Sequence, residues 1–425
     1  MKLDASATIG HVTRFRKGLM ALTATVSLGA TVLVPQTGAF GSTNPRAAGP
    51  AARSRLGVLK GVQVAAGIPV GTSVTFAHSF CYLNNEGMQV YNNEPLAIAH
   101  ALGWKVIPSV ASGAAPGSQS EQITQVRTLL GEGTNFLTIN PCDSGGIVPA
   151  ITAANRAGVP VTLTDTQAAS GYQVSVTGNE IQHGAAACQG LVAGLKAQHG
   201  GKAVGPVIEI QGSLATSAAQ GRTKGFAECM KKNAPSVKIL IDATDWSATE
   251  GATELKDTLG AHPNATGIFM ESDTVFFTGT EQVLKSLGDW KKRGQAGHIV
   301  IAGTDGGGAI LAAIRAGYAD ADVVGSKTAY FPISLFLLKK LEAHKLSTVN
   351  RASLKAIGLT VTTVPGGGLL VEVPGRLATP ANANNPTFWG NGTCAVSYKG
   401  CPVDVSSIRA ALAAAGTYGQ LAAKA

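Results

Sequence analysis

Apolar positions along this chain alternate between two periods. Short, nearly continuous apolar runs occupy 72–80, 104–110, 135–139 and 159–163, and read as buried strands. Between them, residues 86–102, 118–130 and 147–157 carry apolar side chains at helical spacing, with Ile123, Val126, Leu129 and Leu130 on one face of the second. Gly103 and Gly158 end the first and third of these helices, and Asn140-Pro141 stops the third strand. The alternation then resumes. Helices are expected over 181–198, 218–232, 249–259, 274–287, 309–316 and 327–343, and strands over 206–210, 237–241, 267–270, 298–302 and 322–324. Such alternation implies parallel sheets flanked by helices. The strands are too many for one small sheet, so the expected fold class is α/β with two lobes. In open α/β sheets ligands sit outside the carboxyl ends of the strands, which places a cleft between the lobes.

Composition narrows the partners. The chain has 425 residues, enough for two or three domains, and 45% hydrophobic content excludes disorder along its whole length. Only 14% of residues are charged, so the net charge of +9 is spread thinly. No dense Lys/Arg stripe with interleaved aromatics is present, and nucleic acid is not expected as a partner.

The first residues read as a targeting segment. Arg14, Arg16 and Lys17 precede an apolar run over 18–34, and Thr37 and Ala39 stand at the minus-three and minus-one positions of a cleavage site. Cleavage of a signal peptide, 1–39, is expected near Ala39, with Ala48 as a second candidate and an uncleaved anchor as the alternative. Residues 40–71 follow as a flexible leader rich in Ala, Gly, Pro and Arg. The expected location is therefore the periplasm or the cell exterior.

Candidate chemistry gathers at strand ends. Asn140 follows the strand FLTI, Asp165 and Thr166 follow VTLT, Arg222 opens the helix in GRTKGF, and Trp246 follows ILIDAT. Ser272 and Asp273 follow GIFM, and Asp305 follows HIVIA. Each has a plain structural alternative: a turn for Asn140, a helix N-cap for Asp165 and Asp305, a solvated charge for Arg222, core packing for Trp246. Their recurrence at equivalent strand ends favours a converging site. The histidines are scattered without a metal spacing such as HExxH, and no GxSxG elbow or Walker loop occurs. Gly306–Gly308 reads as a tight strand–helix turn rather than a phosphate cradle. No catalytic residue, metal or cofactor is expected.

From about Ser73 to Leu341 the chain resembles periplasmic sugar-binding proteins of the ribose/galactose type, the solute receptors of ABC importers. The carrying segments are INPCDSG (139–145), AGVPVTLTDTQ (157–167), VIEIQGSLATSAAQGRTKGF (207–226), IFMESD (268–273) and IAGTDGGG (301–308). The resemblance implies two Rossmann-like lobes of the periplasmic binding protein-like I fold, three crossovers, and closure on a sugar or polyol. It places Asn140, Asp165, Thr166, Arg222, Trp246, Ser272 and Asp305 at ligand-contact positions. Carboxylates and Asn suit vicinal hydroxyls, Arg222 supplies charge-assisted donors, and Trp246 offers an apolar face. Trp104, Trp290 and Trp389 are expected outside the cleft. Thr166 stands where ribose-type members carry Arg, Ser272 replaces an Asn, Gly325 stands near an expected Gln, and Asn84 and Asn85 occur without a clear Phe pair. These departures point to a larger or differently substituted ligand.

The implied lobes are 72–176 plus about 304–325, and 177–303 plus about 326–365, with a C-terminal extension over 366–425 to which no function is assigned. Hinges are expected near 177–179, 303–305 and 325–326. In this fold Cys81 and Cys142 end neighbouring strands, and Cys188 and Cys229 lie on consecutive helices. Disulfides 81–142, 188–229 and a local 394–401 are expected, with thiols as the alternative for buried pairs. The implied partners are a small-molecule ligand, a sugar first of all, and an ABC permease in the membrane; the chain is expected to be a monomer and not an enzyme. The alternatives are a ligand receptor for a membrane sensor, a binder of a non-sugar small molecule, and a secreted α/β enzyme.

Overall fold

The computed structural model describes residues 73–391 except 102, 112–118, 343–354, 356–358, 367 and 387. The expected signal peptide over 1–39, the expected leader over 40–71 and the expected Cys394–Cys401 disulfide lie outside the described residues.

The first half runs β1 (Thr75–Phe80), α1 (Glu86–Ala101), β2 (Lys105–Val106), β3 (Val110–Ala111), α2 (Gln119–Gly131), β4 (Phe136–Asn140), α3 (Val148–Arg156), β5 (Val161–Thr164) and β6 (Val174–Gly178). The second half runs α4 (Glu180–Gln198), β7 (Val207–Gln211), α5 (Ser217–Asn233), β8 (Ile239–Ala243), α6 (Ala248–Ala261), β9 (Gly267–Met270), α7 (Asp273–Leu287), β10 (Val300–Asp305), α8 (Gly308–Ala316) and β11 (Ala321–Val324). A short 3₁₀ turn (Lys327–Ala329), α9 (Tyr330–Glu342), β12 (Thr360–Thr363), β13 (Leu369–Val373) and β14 (Arg376–Ala378) complete it.

Two mainly parallel sheets result. One has the order β12-β13-β6-β5-β4-β1-β2, with β3 also paired to β1; the other has the order β14-β11-β10-β9-β7-β8. The central strands of each sheet are buried on both faces, which is why they read as continuous apolar runs. In the first sheet Phe76, Phe80, Phe136 and Val174 face α1 and α9, while Leu137, Ile139, Val161 and Leu163 pack with residues of α2 and α3. In the second, Ile208, Ile268, Met270 and Ile301 cluster with Leu255, Phe276 and Ile310, and Val207, Phe269, Val300 and Val323 with Leu191 and Phe226.

Several expectations change. The strand expected over 104–110 divides into β2 and β3, which pair with opposite ends of β1 (Thr75↔Lys105, Ser79↔Val110). Pro108 lies in the break, where it has no N–H to give to a ladder. β6, β12, β13 and β14 were not expected. The lobe boundaries also differ: β10 and β11 belong to the second sheet, so residues 304–325 do not return to the first. Residues 330–342 and 360–363, expected in the second lobe, form α9 and β12, and β12 extends the first sheet. The chain crosses between sheets after β6, after β11, and between β13 and β14. Gly303–Asp305 is inside β10, and the third crossover is at Pro374–Gly375 instead. The crossovers lie side by side, since Asn179 N–H donates to the Val373 carbonyl (2.8 Å) and Gly375 N–H to Gln182 Oε1 (2.9 Å).

Cys81 is bonded to Cys142 with Cα atoms 4.7 Å apart, joining the ends of β1 and β4, and Cys188 to Cys229 with Cα atoms 6.1 Å apart, joining α4 and α5. The two helices touch at glycines: a methyl on Gly184 would strike the Arg222 carbonyl, and one on Gly225 the Ile181 carbonyl. That close approach sets Arg222 beside Glu180.

Candidate functional site

The carboxyl ends of both sheets open on one cavity. The first lobe contributes Cys81, Tyr82, Met88, Asn140, Pro141, Cys142, Asp165 and Thr166; the second contributes Thr216, Ala218, Arg222, Trp246, Ser272 and Asp305. All seven side chains placed at ligand-contact positions by the resemblance therefore line the same space, whereas Asp273, named beside Ser272 at the same strand end, does not. Its volume is about 20 Å³, room for about one water.

The backbone is bent to reach it. Among the described residues, Asp165 (φ 68°), Trp246 (φ 61°) and Asp305 (φ 118°) are the non-glycine residues at positive φ, and all three line the cavity. Such conformations cost about 1–3 kcal/mol each and gather at functional sites. The side chains are held in place by neighbours. Asn140 Nδ2 donates to the Thr164 carbonyl (3.1 Å) and to Asp165 Oδ2 (3.4 Å). Trp246 Nε1 donates to Thr216 Oγ1 (3.3 Å), and its ring stacks on Phe276 with centroids 6.1 Å apart. Asn85 caps α1 by accepting from Met88 N–H (2.9 Å), which sets Met88 against the cavity.

Charge is arranged as a buried chain. Arg222 Nε meets Glu180 Oε2 at 2.6 Å, Nη1 the Glu271 carbonyl at 2.5 Å, and Nη2 Asp305 Oδ1 at 3.3 Å. The same Asp305 oxygen accepts from Lys327 Nζ (3.1 Å), and Oδ2 accepts from Ser272 Oγ (2.6 Å) and Thr274 Oγ1 (3.3 Å). Burial works against the Asp305 carboxylate, but Lys327 and Arg222 outweigh it and hold its pKa below the ordinary value. Glu180 follows the same logic: burial opposes its charge, and Arg222 and His183 hold it well down. Asp165 goes the other way, pushed up by burial despite Lys327 and Arg222. The cavity thus presents a firmly charged Arg222–Asp305 pair on one wall and a more readily protonated Asp165 on the other.

Lys327, Tyr91 and Glu180 support the site and were not expected. Lys327 carried a signal, being the only charged residue between Asp322 and Lys339 in the sequence. Glu180 is the sole acidic residue in the first turn of α4. Of the tryptophans expected outside the cleft, Trp104 packs edge-on to Phe136 in the first lobe and Trp290 stacks on Tyr318. Trp389 is likewise absent from the cavity lining but reaches the back of the site, donating Nε1–H to the Asp305 carbonyl at 2.8 Å.

Residues 76–341 match the periplasmic binding protein domain. That is well over half of the chain, and the chain belongs to this family of binding proteins. Similar proteins include the ribose import binding protein of Salmonella typhimurium, 31% identical over 187 residues covering 44% of this chain and 58% of the relative. The galactofuranose-binding protein of Escherichia coli is 30% identical over 212 residues, covering 48% of this chain and 64% of the relative. The chain thus spans somewhat under two thirds of these relatives' length. Among solved structures, a galactofuranose binding protein superposes with TM-score 0.60 at 22% identity, covering 73% of this chain and 96% of the other. A Mycobacterium smegmatis ABC transporter solute binding protein with bound glycerol gives 0.58 at 24%, covering 74% and 96%. These likenesses establish the two-lobed fold.

Proposed function

We propose that this chain is the extracytoplasmic substrate-binding protein of an ABC importer and holds a sugar or polyol between its lobes for delivery to a membrane permease. The observation that carries the reading is the convergence of Asn140, Asp165, Thr166, Arg222, Trp246, Ser272 and Asp305 on one cavity between two sheets. A polyol needs several donors and acceptors in fixed directions and an apolar surface for its C–H face. Arg222, Asp305, Asp165 and Asn140 supply the first, and Trp246 the second. The names of its relatives, ribose- and galactofuranose-binding among them, agree. Thr166 and Ser272 are shorter than the Arg and Asn of ribose-type members, so the ligand differs from ribose in size or substitution. Export through the N-terminal segment, action as a monomer and the absence of catalysis belong to the same reading.

A cavity of about 20 Å³ admits no sugar without separation of the lobes. Binding therefore proceeds by opening and reclosing at the three crossovers. Mass spectrometry of whatever co-purifies identifies the ligand, and small-angle scattering with it tests the motion. Compaction of ligand-stripped protein on saturation is expected; an unchanged radius under proven saturation speaks against closure.

A further inference from the structure

Beyond the matched domain, the chain folds back on the site. β14 pairs antiparallel with β11 (Val323↔Leu377), and the segment that follows includes a 3₁₀ turn, Trp389–Asn391. This turn packs on the loop that leaves β10 at Asp305. The buried Trp389 indole donates to the Asp305 carbonyl at 2.8 Å. Gly390 lies so near this loop that a Cβ there would stand 2.7 Å from the Gly307 carbonyl carbon and 2.8 Å from the Gly308 nitrogen. Asn391 ties the turn down: its Nδ2 donates to the carbonyls of Ala383 (2.7 Å) and Asn385 (2.9 Å), and its Oδ1 accepts from Arg315 of α8. Asp305 itself has φ 118°, a conformation an Asp keeps only where its surroundings over-determine it.

We propose that Trp389–Asn391 is a clasp that positions Asp305. Trp389 fixes the Asp305 peptide, and so fixes the direction in which the carboxylate faces Arg222, Lys327 and the cavity. Trp389 is a positioning residue, since it does not line the cavity. The effect on affinity rests on the reading of Asp305 as a ligand contact; the effect on the loop does not.

Trp389→Phe keeps an aromatic ring and removes the N–H. In hydrogen–deuterium exchange of the ligand-free protein, peptides covering 303–310 should exchange about tenfold faster than in the parent, as expected for loss of a buried hydrogen bond. Peptides covering 207–211 and 267–270 should not change, and the melting temperature should stay within about 3 °C. Gly390→Ala, which pushes the turn off the loop, should do the same. D-ribose, D-galactose, L-arabinose, D-allose and xylitol serve as probes. Any of these that the parent binds should leave both variants about tenfold faster, with association unchanged. Parent-like exchange over 303–310 in both variants would overturn the clasp. So would loss of the fold in both, which would make the turn a structural anchor. If the parent binds none of the five probes, the sugar reading is weakened while the exchange result still decides the clasp.

Discussion

Lys327 Nζ and Asp305 Oδ1 are 3.1 Å apart, and the same ammonium lies 3.1 Å from the Tyr91 hydroxyl on α1. One buried cation thus links a strand end of the second lobe to a helix of the first, from the start of the crossover that joins them. It also shares Asp305 Oδ1 with Arg222. Lys327→Met leaves Arg222 as the one cation on Asp305, beside the Ser272 and Thr274 hydroxyls. Breaking a buried pair from one side costs about 3–5 kcal/mol. A loss of about 3 kcal/mol in urea denaturation is expected, at the low end because Arg222 remains. Parent-like stability would mean that desolvation of the ammonium cancels its pairing.

Arg222→Ala should weaken sugar binding at least about tenfold, roughly 1.4 kcal/mol, because hydroxyls desolvated against it lose their donor. It should also lower stability, since Glu180 and Asp305 lose a shared partner. Trp246→Ala should affect both properties as well, because the ring packs on Phe276 at the same time as it lines the cavity. Trp246→Phe separates them: stability is retained, and affinity and any ligand-induced fluorescence change fall. Calorimetric titration and melting curves on the same preparations check this.

A pH response is built into the floor of the second lobe. Thr223 Oγ1 lies 3.0 Å from Glu209 Oε1 and 2.6 Å from Glu271 Oε1, and accepts from Gln211 Nε2 at 2.8 Å. One hydroxyl proton serves one carboxylate, so the other short contact calls for a proton on a carboxyl. Burial pushes Glu209 up to about 7; burial, then the neighbouring Glu209, pushes Glu271 up to about 8. Both values lie above those of the unfolded chain, so the folded state holds the extra protons. Stability from this pair is full below about pH 4 and declines as pH rises toward about 8, by up to ~1.4 kcal/mol per pH unit per proton. Urea denaturation across that range should show a flatter profile for Glu209→Gln/Glu271→Gln; an identical slope in parent and variant would contradict the shared proton.

The strand ends were legible because each apolar run stops abruptly at a polar residue, as at Asn140, Asp165 and Asp305. Periodicity carries that information. It does not carry strand order, which is why β11 and the last two residues of β10 are expected in the wrong lobe. β13 is not legible in the sequence, because LLVEV follows a Gly-rich turn and its partner β6 is remote along the chain. Lys327 stands out as an isolated charge at the start of an expected helix, but nothing local reveals that Asp305 faces it. Trp389 sits in a turn-rich stretch whose role depends wholly on what it folds against.

The two disulfides seen among the described residues give a further expectation. Cys188→Ala/Cys229→Ala removes a link between α4 and α5 and should cost about 2–4 kcal/mol in denaturation, with ligand affinity kept. Cys81→Ala/Cys142→Ala touches the cavity wall and should reduce affinity as well as stability. Non-reducing peptide mapping checks the pairing itself, where free thiols at all four positions would refute it.

The most direct measurement is calorimetric titration of ligand-stripped protein with the co-purified sugar, run side by side on the parent and Asp305→Asn. Saturable one-to-one binding by the parent and at least about tenfold weaker binding by the variant are expected. Equal affinity in the two proteins, or no sugar bound by the parent at all, would contradict the assignment of this cleft as a sugar site.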